Sequence, residues 1–200
     1  RVARLAKELK NVGRERYRRR AKRRKKDLPV LSLVGYTNAG KSTLLNTLTN
    51  SNIIAEDKLF ATLDPTSRRL RFPTEMEVII TDTVGFIRNL PEELLKAFMA
   101  TLEELREADL LIHVIDISSS GYKDQMRVVE HFLKDLDLEN IPCLKLYNKI
   151  DLLQEEELKE RIEKEGGLLV SCFQPETLKP FLHQAERLIG KVINGSQNLR

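Results

Sequence analysis

The stretch that most restricts the fold is Val30-Leu31-Ser32-Leu33-Val34-Gly35-Tyr36-Thr37-Asn38-Ala39-Gly40-Lys41-Ser42-Thr43-Leu44-Leu45. Its apolar run, Val30 to Val34, reads as a buried strand, and a helical pattern resumes at Lys41. Between them lies G-x-x-x-x-G-K-S. Gly35 and Gly40 let the backbone wrap closely enough for several N–H groups, from Tyr36 to Ser42, to face one anion. The helix that follows adds its positive N-terminal end. In such a loop Lys41 reaches the β- and γ-phosphates of a nucleotide, and the Ser42 hydroxyl holds Mg2+. A strand, a phosphate loop and a helix in this order call for a parallel sheet with helices on its faces.

The rest of the chain continues that alternation. Arg68–Phe72 and Val78–Thr81 read as strands, as do Leu110–Ile117, Cys143–Tyr147 and Leu168–Ser171, giving six with the first. Helices are expected at Lys41–Thr49, after Pro91 (Leu94, Leu95, Phe98, Leu102 and Leu105 on one face) and around Tyr122–Leu136. Two more are expected at Gln154–Glu165, ended by Gly166-Gly167, and at Leu178–Val192. Residues 50–67, broken by Asp64-Pro65, read as a mobile loop. The expected fold is α/β: a P-loop NTPase of the Ras-like G-domain kind, with a mostly parallel six-stranded sheet flanked by helices. Ligands of such sheets sit at the strand C-termini.

Charge divides the chain. Residues 1–27 hold 14 Lys/Arg against 3 Asp/Glu, a net +11, while the remaining 173 hold 20 against 27, a net −7. Val2, Leu5, Ala6, Leu9 and Val12 form a narrow helical stripe that needs a covering partner. From Arg14 to Lys26, 10 of 13 residues are Lys or Arg. The expected organisation is therefore a basic helical arm (1–28), a nucleotide-binding domain (29–193) and a short tail (194–200). The arm reads either as a solvated linker or as a surface for RNA phosphates, and charge alone does not separate RNA from DNA. The first residue is Arg, so the chain is expected to be part of a longer protein.

Cys143 and Cys172 stand in apolar contexts without a metal-ligand spacing, so reduced buried thiols are expected, and with them a cytoplasmic setting. No run reaches the length of a membrane span, although peripheral membrane association stays compatible with the composition. His113 lies within an apolar strand, and His131 and His183 lie on helices. All three read as structural.

Three further signals fall at strand ends in the order a GTPase needs. Asp82-Thr83-Val84-Gly85 would hold Mg2+ through water opposite Ser42 and present the Gly85 N–H to the γ-phosphate. Asn148-Lys149-Ile150-Asp151 would read guanine. The Asp151 carboxylate accepts from N1–H and the 2-amino group, which adenine lacks, while Asn148 ties this loop to the phosphate loop and the Lys149 stem covers the base. Backbone N–H groups of Ser171-Cys172-Phe173 would meet guanine O6.

These blocks, with Phe60-Ala61-Thr62-Leu63-Asp64-Pro65-Thr66-Ser67-Arg68 and Asp82-Thr83-Val84-Gly85-Phe86-Ile87, make the chain resemble the HflX group of translational GTPases, relatives of the Obg group. The similarity covers roughly residues 1–190. It implies an upstream nucleotide-binding domain joined through a helical hairpin, whose last basic helix is the arm. It also implies GTP and GDP as ligands, binding to the large (50S) ribosomal subunit and its rRNA, and separation of stalled or idle ribosomes; a monomer is the expected state. Within Phe60–Asp64 it makes Thr62 a switch residue, its hydroxyl on Mg2+ and its backbone on the γ-phosphate only in the GTP state. Asn38 corresponds to an asparagine that helps hold K+ beside the phosphates in related GTPases, and such a cation would supply charge stabilisation. The alternative reading of Asn38 is turn geometry.

The expected catalytic set is thus Asn38, Lys41, Thr62 and Gly85, and the expected Mg2+ set is Ser42, Thr62 and Asp82. Two departures from the usual GTPase pattern carry consequences. Phe86 stands where Ras-like enzymes have a water-orienting glutamine, so intrinsic hydrolysis is expected to be slow. Cys172-Phe173 replaces the usual Ala-Lys of the last guanine loop and changes the packing around the base. Two other functions fit the same residues: an RNA-binding module that uses nucleotide only as a structural ligand, and an Obg-like GTPase of subunit assembly.

Overall fold

A computed structural model describes residues 28–49, 66–83, 85–86 and 103–197. Six strands form one sheet: β1 (Val30–Val34), β2 (Thr66–Arg71), β3 (Glu77–Asp82), β4 (Leu110–Asp116), β5 (Cys143–Asn148) and β6 (Leu168–Leu169). Their spatial order is β2-β3-β1-β4-β5-β6. Only the β2–β3 pair is antiparallel, and the others are parallel. From β1 the chain reaches β3 on one side and β4 on the other. The C-terminal end of β1 is therefore the switch point at which an open α/β sheet forms its crevice.

Both faces of the sheet are covered, which explains the near-continuous apolar runs of β1 and β4. On one face α1 (Lys41–Thr49) and α4 (Lys179–Gln197) press Leu44, Leu45, Phe181, Ala185 and Ile189 onto Leu31, Leu33, Ile80, Ile112 and Val114. On the other, Val129 and Leu133 of α2 (Tyr122–Asp135) meet Val34, Leu105, Leu111 and Phe86. A smaller cluster joins Ile162 of α3 (Glu156–Lys164) to Ile115, Ile117 and Tyr147.

Helix α3 shows how local chemistry sets the boundaries. Glu156 and Glu157 lie in its first turn, and Arg161 and Lys164 in its last, which suits the helix dipole. It ends at Gly166, whose φ of +78° favours glycine. The Gly167 N–H then donates to the Ile162 carbonyl at 2.9 Å. The acidic run at its start is exposed, as a solvated face should be.

Four expectations need correction. Thr66 and Ser67 belong to β2 and not to a loop, because the β3 ladder reaches them (Thr66 opposite Asp82, Ser67 opposite Thr81). The last strand stops at Leu169, since Ser171 instead bridges to Gln174 within a turn. The closing helix is entered through a 3-10 turn, Pro175–Leu178. That helix runs on to Gln197, past its expected end at Val192, because backbone bonding propagates a helix beyond its last apolar position. The basic arm, the 50–65 segment and most of the helix expected after Pro91 lie outside the described residues.

Candidate functional site

The phosphate loop starts at Gly35 because nothing larger fits there. A Cβ on Gly35 would stand 2.4 Å from the Val114 carbonyl oxygen of β4. At the other end, Gly40 has φ +96°, and a Cβ on it would meet Asn148 Nδ2 at 2.3 Å. Between them Asn38 takes a left-handed φ of +61° and is exposed. Helix α1 begins directly after, at Lys41, so its first N–H groups have no carbonyl within the helix to satisfy them. A concave loop running into such a terminus is suited to an anion.

Lys41 folds back over this loop. Its Nζ donates to the Gly35 carbonyl at 3.2 Å and the Tyr36 carbonyl at 3.0 Å. Burial lowers its pKa to about 8, opposed by the nearby Asp82 charge. Gly85 lies against the same ammonium: a Cβ there would be 2.9 Å from Lys41 Nζ. The Ser42 hydroxyl donates to Asp82 Oδ2 at 2.6 Å. A hydroxyl and a buried carboxylate set side by side are hard oxygen donors of the kind Mg2+ takes, so the residues present fit that ion.

The segment after β3 is stitched to the phosphate loop on both sides. Thr83 Oγ1 donates to the Leu33 carbonyl at 2.6 Å. The Phe86 N–H donates to Gly35 O at 3.0 Å, and the Thr37 N–H donates to Phe86 O at 2.9 Å. The Phe86 side chain is fully buried, its ring centroid 5.4 Å from that of Phe132 on α2. It therefore serves as a core anchor beneath the loop. Replacing it with the Ras-type residue, Phe86→Gln, should lower stability by about 3–5 kcal/mol, since a large apolar side chain is lost and an amide is buried. A thermal melt checks this, and a variant of unchanged stability would contradict the placement.

Asn148 joins the two halves of the site. Its Nδ2 donates to the Ala39 carbonyl at 3.0 Å, and its Oδ1 accepts from the Cys172 N–H at 3.3 Å and from Cys172 Sγ at 3.4 Å. Lys149 follows in a left-handed conformation, φ +69°, ahead of the 3-10 turn Ile150–Leu152 that carries the exposed Asp151. The Ile150 N–H donates to Val170 O at 3.3 Å, tying this turn to the end of β6. The donors expected to meet guanine O6 already have partners: the Cys172 N–H serves Asn148, and the Phe173 N–H donates to Ser171 Oγ at 3.2 Å. They would have to be shared with a base. The Phe173 ring beside them is 79 % exposed.

Gly35, Tyr36, Thr37, Asn38, Ala39, Gly40, Lys41, Ser42, Asp82, Thr83, Gly85, Asn148, Lys149, Ile150, Asp151, Ser171, Cys172 and Phe173 thus all lie just beyond, or at the C-terminal ends of, β1, β3, β5 and β6. Phe60, Ala61, Thr62, Leu63, Asp64 and Val84 lie outside the described residues. Sequence reasoning missed Asp116, which ends β4 and accepts from Lys149 Nζ at 2.6 Å. An acidic residue closing an apolar strand was the available signal. Of the histidines, His113 is buried in β4, and burial, with the Lys145 and Lys41 charges, lowers its pKa to about 3; His131 and His183 are exposed on α2 and α4. Cys172 is buried as expected, and burial raises its thiol to about 12, so it stays protonated; Cys143, expected to be buried, is exposed, because the alternation along β5 turns its first residue outward. Among the described residues no group of three or more His, Cys, Asp or Glu could hold a metal, and no helix is long and apolar enough to cross a membrane.

The chain is similar to several known proteins. Residues 30–149 match the family described as 50S ribosome-binding GTPase. A GTPase HflX of Caldanaerobacter subterraneus is 52 % identical over 154 residues, 77 % of this chain and 36 % of that protein. The GTPase HflX of Magnetococcus marinus is 43 % identical over 96 % of this chain and 45 % of its own length. That of Escherichia coli is 46 % identical over 82 % of this chain and 38 % of its own. This chain therefore spans less than half the length of these relatives. Among solved structures, a GTP-binding protein of Sulfolobus solfataricus in complex with GDP superposes with a TM-score of 0.67 at 25 % identity, over 92 % of this chain and 62 % of that one.

Proposed function

The chain belongs to the 50S ribosome-binding GTPase family, as a G domain of the HflX type, and from that premise we propose a ribosome-associated switch. It binds GTP with Mg2+, hydrolyses it slowly when alone and faster on the large ribosomal subunit, and separates or recycles ribosomes in the cytoplasm as a monomer. One observation carries the nucleotide half of this reading: Asn148 fastens the segment bearing Asp151 to the phosphate loop through Ala39. A carboxylate that can read a purine and a loop that can hold its phosphates are thereby kept in one frame.

The residues divide the work. Backbone N–H groups from Tyr36 to Ser42 bind the phosphates, and Lys41 neutralises the β- and γ-oxygens. Ser42 and Asp82 would hold Mg2+, joined by Thr62 on the strength of the family resemblance. Such an ion would supply positive charge that offsets the charge developing on the phosphate oxygens. Gly85 offers its N–H to the γ-phosphate, and Asn38 would help hold K+ there. Asp151 reads the guanine edge, Lys149 covers its face, and Ser171, Cys172 and Phe173 border O6. Hydrolysis is attack of water on the γ-phosphorus, promoted by positioning and charge, with no general base among the described residues. The basic arm, 1–28, contacts rRNA phosphates.

Single-turnover GTP cleavage by the full chain, with and without 50S subunits and in K+ against Na+, tests this. Stimulation by subunits supports the switch, whereas no cleavage under any condition would leave only a nucleotide-dependent RNA-binding module. The arm is read by co-sedimentation across a salt titration. With six to ten phosphate contacts, affinity should fall by about three to five orders of magnitude between 50 and 200 mM salt. Deleting residues 1–27 should flatten that dependence, and an unchanged curve would remove the arm from the interface.

A further inference from the structure

Lys149 holds a backbone conformation that costs a residue with a side chain, φ +69°, immediately before the turn that carries Asp151. Such a conformation persists only where its surroundings enforce it. Backbone bonds flank it, Ile150 N–H to Val170 O and Leu152 N–H to Lys149 O, and its side chain is held by a residue on another strand. Asp116 is the last residue of β4 and the register partner of Asn148. Its Oδ2 accepts from Lys149 Nζ at 2.6 Å. Its Oδ1 accepts from the Ser118 N–H at 3.0 Å and from Ser118 Oγ at 2.6 Å. The Ile117 N–H donates to the Asn148 carbonyl at 3.1 Å, which fixes the strand end itself.

The two oxygens therefore have different tasks. Oδ1 locks the carboxylate in a local turn, and Oδ2 presents a fixed negative charge to the lysine. The pair is largely shielded from solvent, with side-chain exposures of 27 % for Lys149 and 15 % for Asp116, so salt screens it less than a surface pair. A pinned ammonium leaves the alkyl stem one path. It also adds a side-chain restraint to a turn that two backbone bonds hold.

We propose that Asp116 is a positioning residue for guanine recognition: by pinning the Lys149 ammonium it sets the path of the lysine stem and the aim of Asp151. This rests on Asn148–Asp151 being the base-reading segment. The one contact that joins Asp116 to that segment through a side chain is with Lys149 Nζ, so its effect passes through Lys149. The prediction is sharpest for the part of the base that Asp151 grips, the 2-amino group.

The test compares GDP with inosine diphosphate, which lacks that amino group, in the full chain. Asp116→Asn keeps an oxygen for Ser118 but removes the charge from Lys149. It should raise the GDP Kd by about tenfold and the inosine diphosphate Kd by less, so that the ratio of the two shrinks. The melting temperature of the nucleotide-free protein should stay within about 2 °C of the parent, because the local turn survives. Lys149→Met should produce a similar loss, and the double variant should be no worse than Lys149→Met alone. An unchanged GDP-to-inosine-diphosphate ratio in Asp116→Asn, or additive losses in the double variant, would overturn the proposal. Asp151→Asn is the control. If it also leaves the ratio unchanged, the base-reading assignment fails and the proposal goes with it; if it collapses the ratio while Asp116→Asn does not, only the tether is wrong.

Discussion

Asp151→Asn should weaken GDP and GTP binding by about 100-fold or more while improving the binding of xanthine nucleotides. Guanine offers two donors on one edge, N1–H and the 2-amino group, and an ionised carboxylate can accept both. An asparagine amide turns one acceptor into a donor, which then faces guanine's own donors. Xanthine carries a carbonyl in place of the amino group, so the new N–H finds an acceptor there. Asp151 stands exposed on a turn held by Val170 and by the Leu152 N–H to Lys149 O bond, so the substitution should leave the fold intact. Displacement of a fluorescent guanine nucleotide by GDP, xanthosine diphosphate and ADP checks each part. Equal competition by ATP and GTP in the parent protein would remove the basis of the reading.

Lys41 governs the other large effect. In the free protein burial holds its pKa at about 8, well under the ordinary lysine value of 10.5. A triphosphate beside the ammonium raises it, so binding takes up a proton when the lysine starts out neutral. The sign follows directly. Below about pH 7 affinity should be flat, because the ammonium is already charged. Above about pH 8 the Kd should rise by about tenfold per pH unit until the bound-state pKa is reached. Guanine N1 also titrates in alkali, so the comparison that counts is with Lys41→Met. That variant should bind about 100-fold to 1,000-fold more weakly at pH 7 and lack the lysine's share of the slope. Calorimetry at pH 8 in buffers of different ionisation heat should show proton uptake by the parent alone. A parent curve parallel to that of Lys41→Met would mean that the lysine does not face the phosphates.

These effects were legible in the sequence because their determinants are local. Gly35 and Gly40 flank a loop that a strand and a helix bracket within a few residues, and the Asp82 and Asn148 segments each follow an apolar run. The structure adds what arises across the sheet. Thr66 and Ser67 look like loop until β3 lies beside them. The sequence says that Phe86 cannot orient water, but only the fold places its ring against Phe132. Asp116 meets Lys149 through the β4–β5 register, 33 residues away, and no pattern along the chain announces that pair. The N–H groups of Cys172 and Phe173 meet Asn148 Oδ1 and Ser171 Oγ, partners that no pattern along the chain announces, because the turn after the short last strand brings them together.

The double stitch between Gly35, Thr37 and Phe86, together with the Asn148 bond to Ala39, has a consequence for binding. Bonds of the chain to itself hold the anion cradle in shape at both ends, so capture of a phosphate group there should sacrifice little chain freedom.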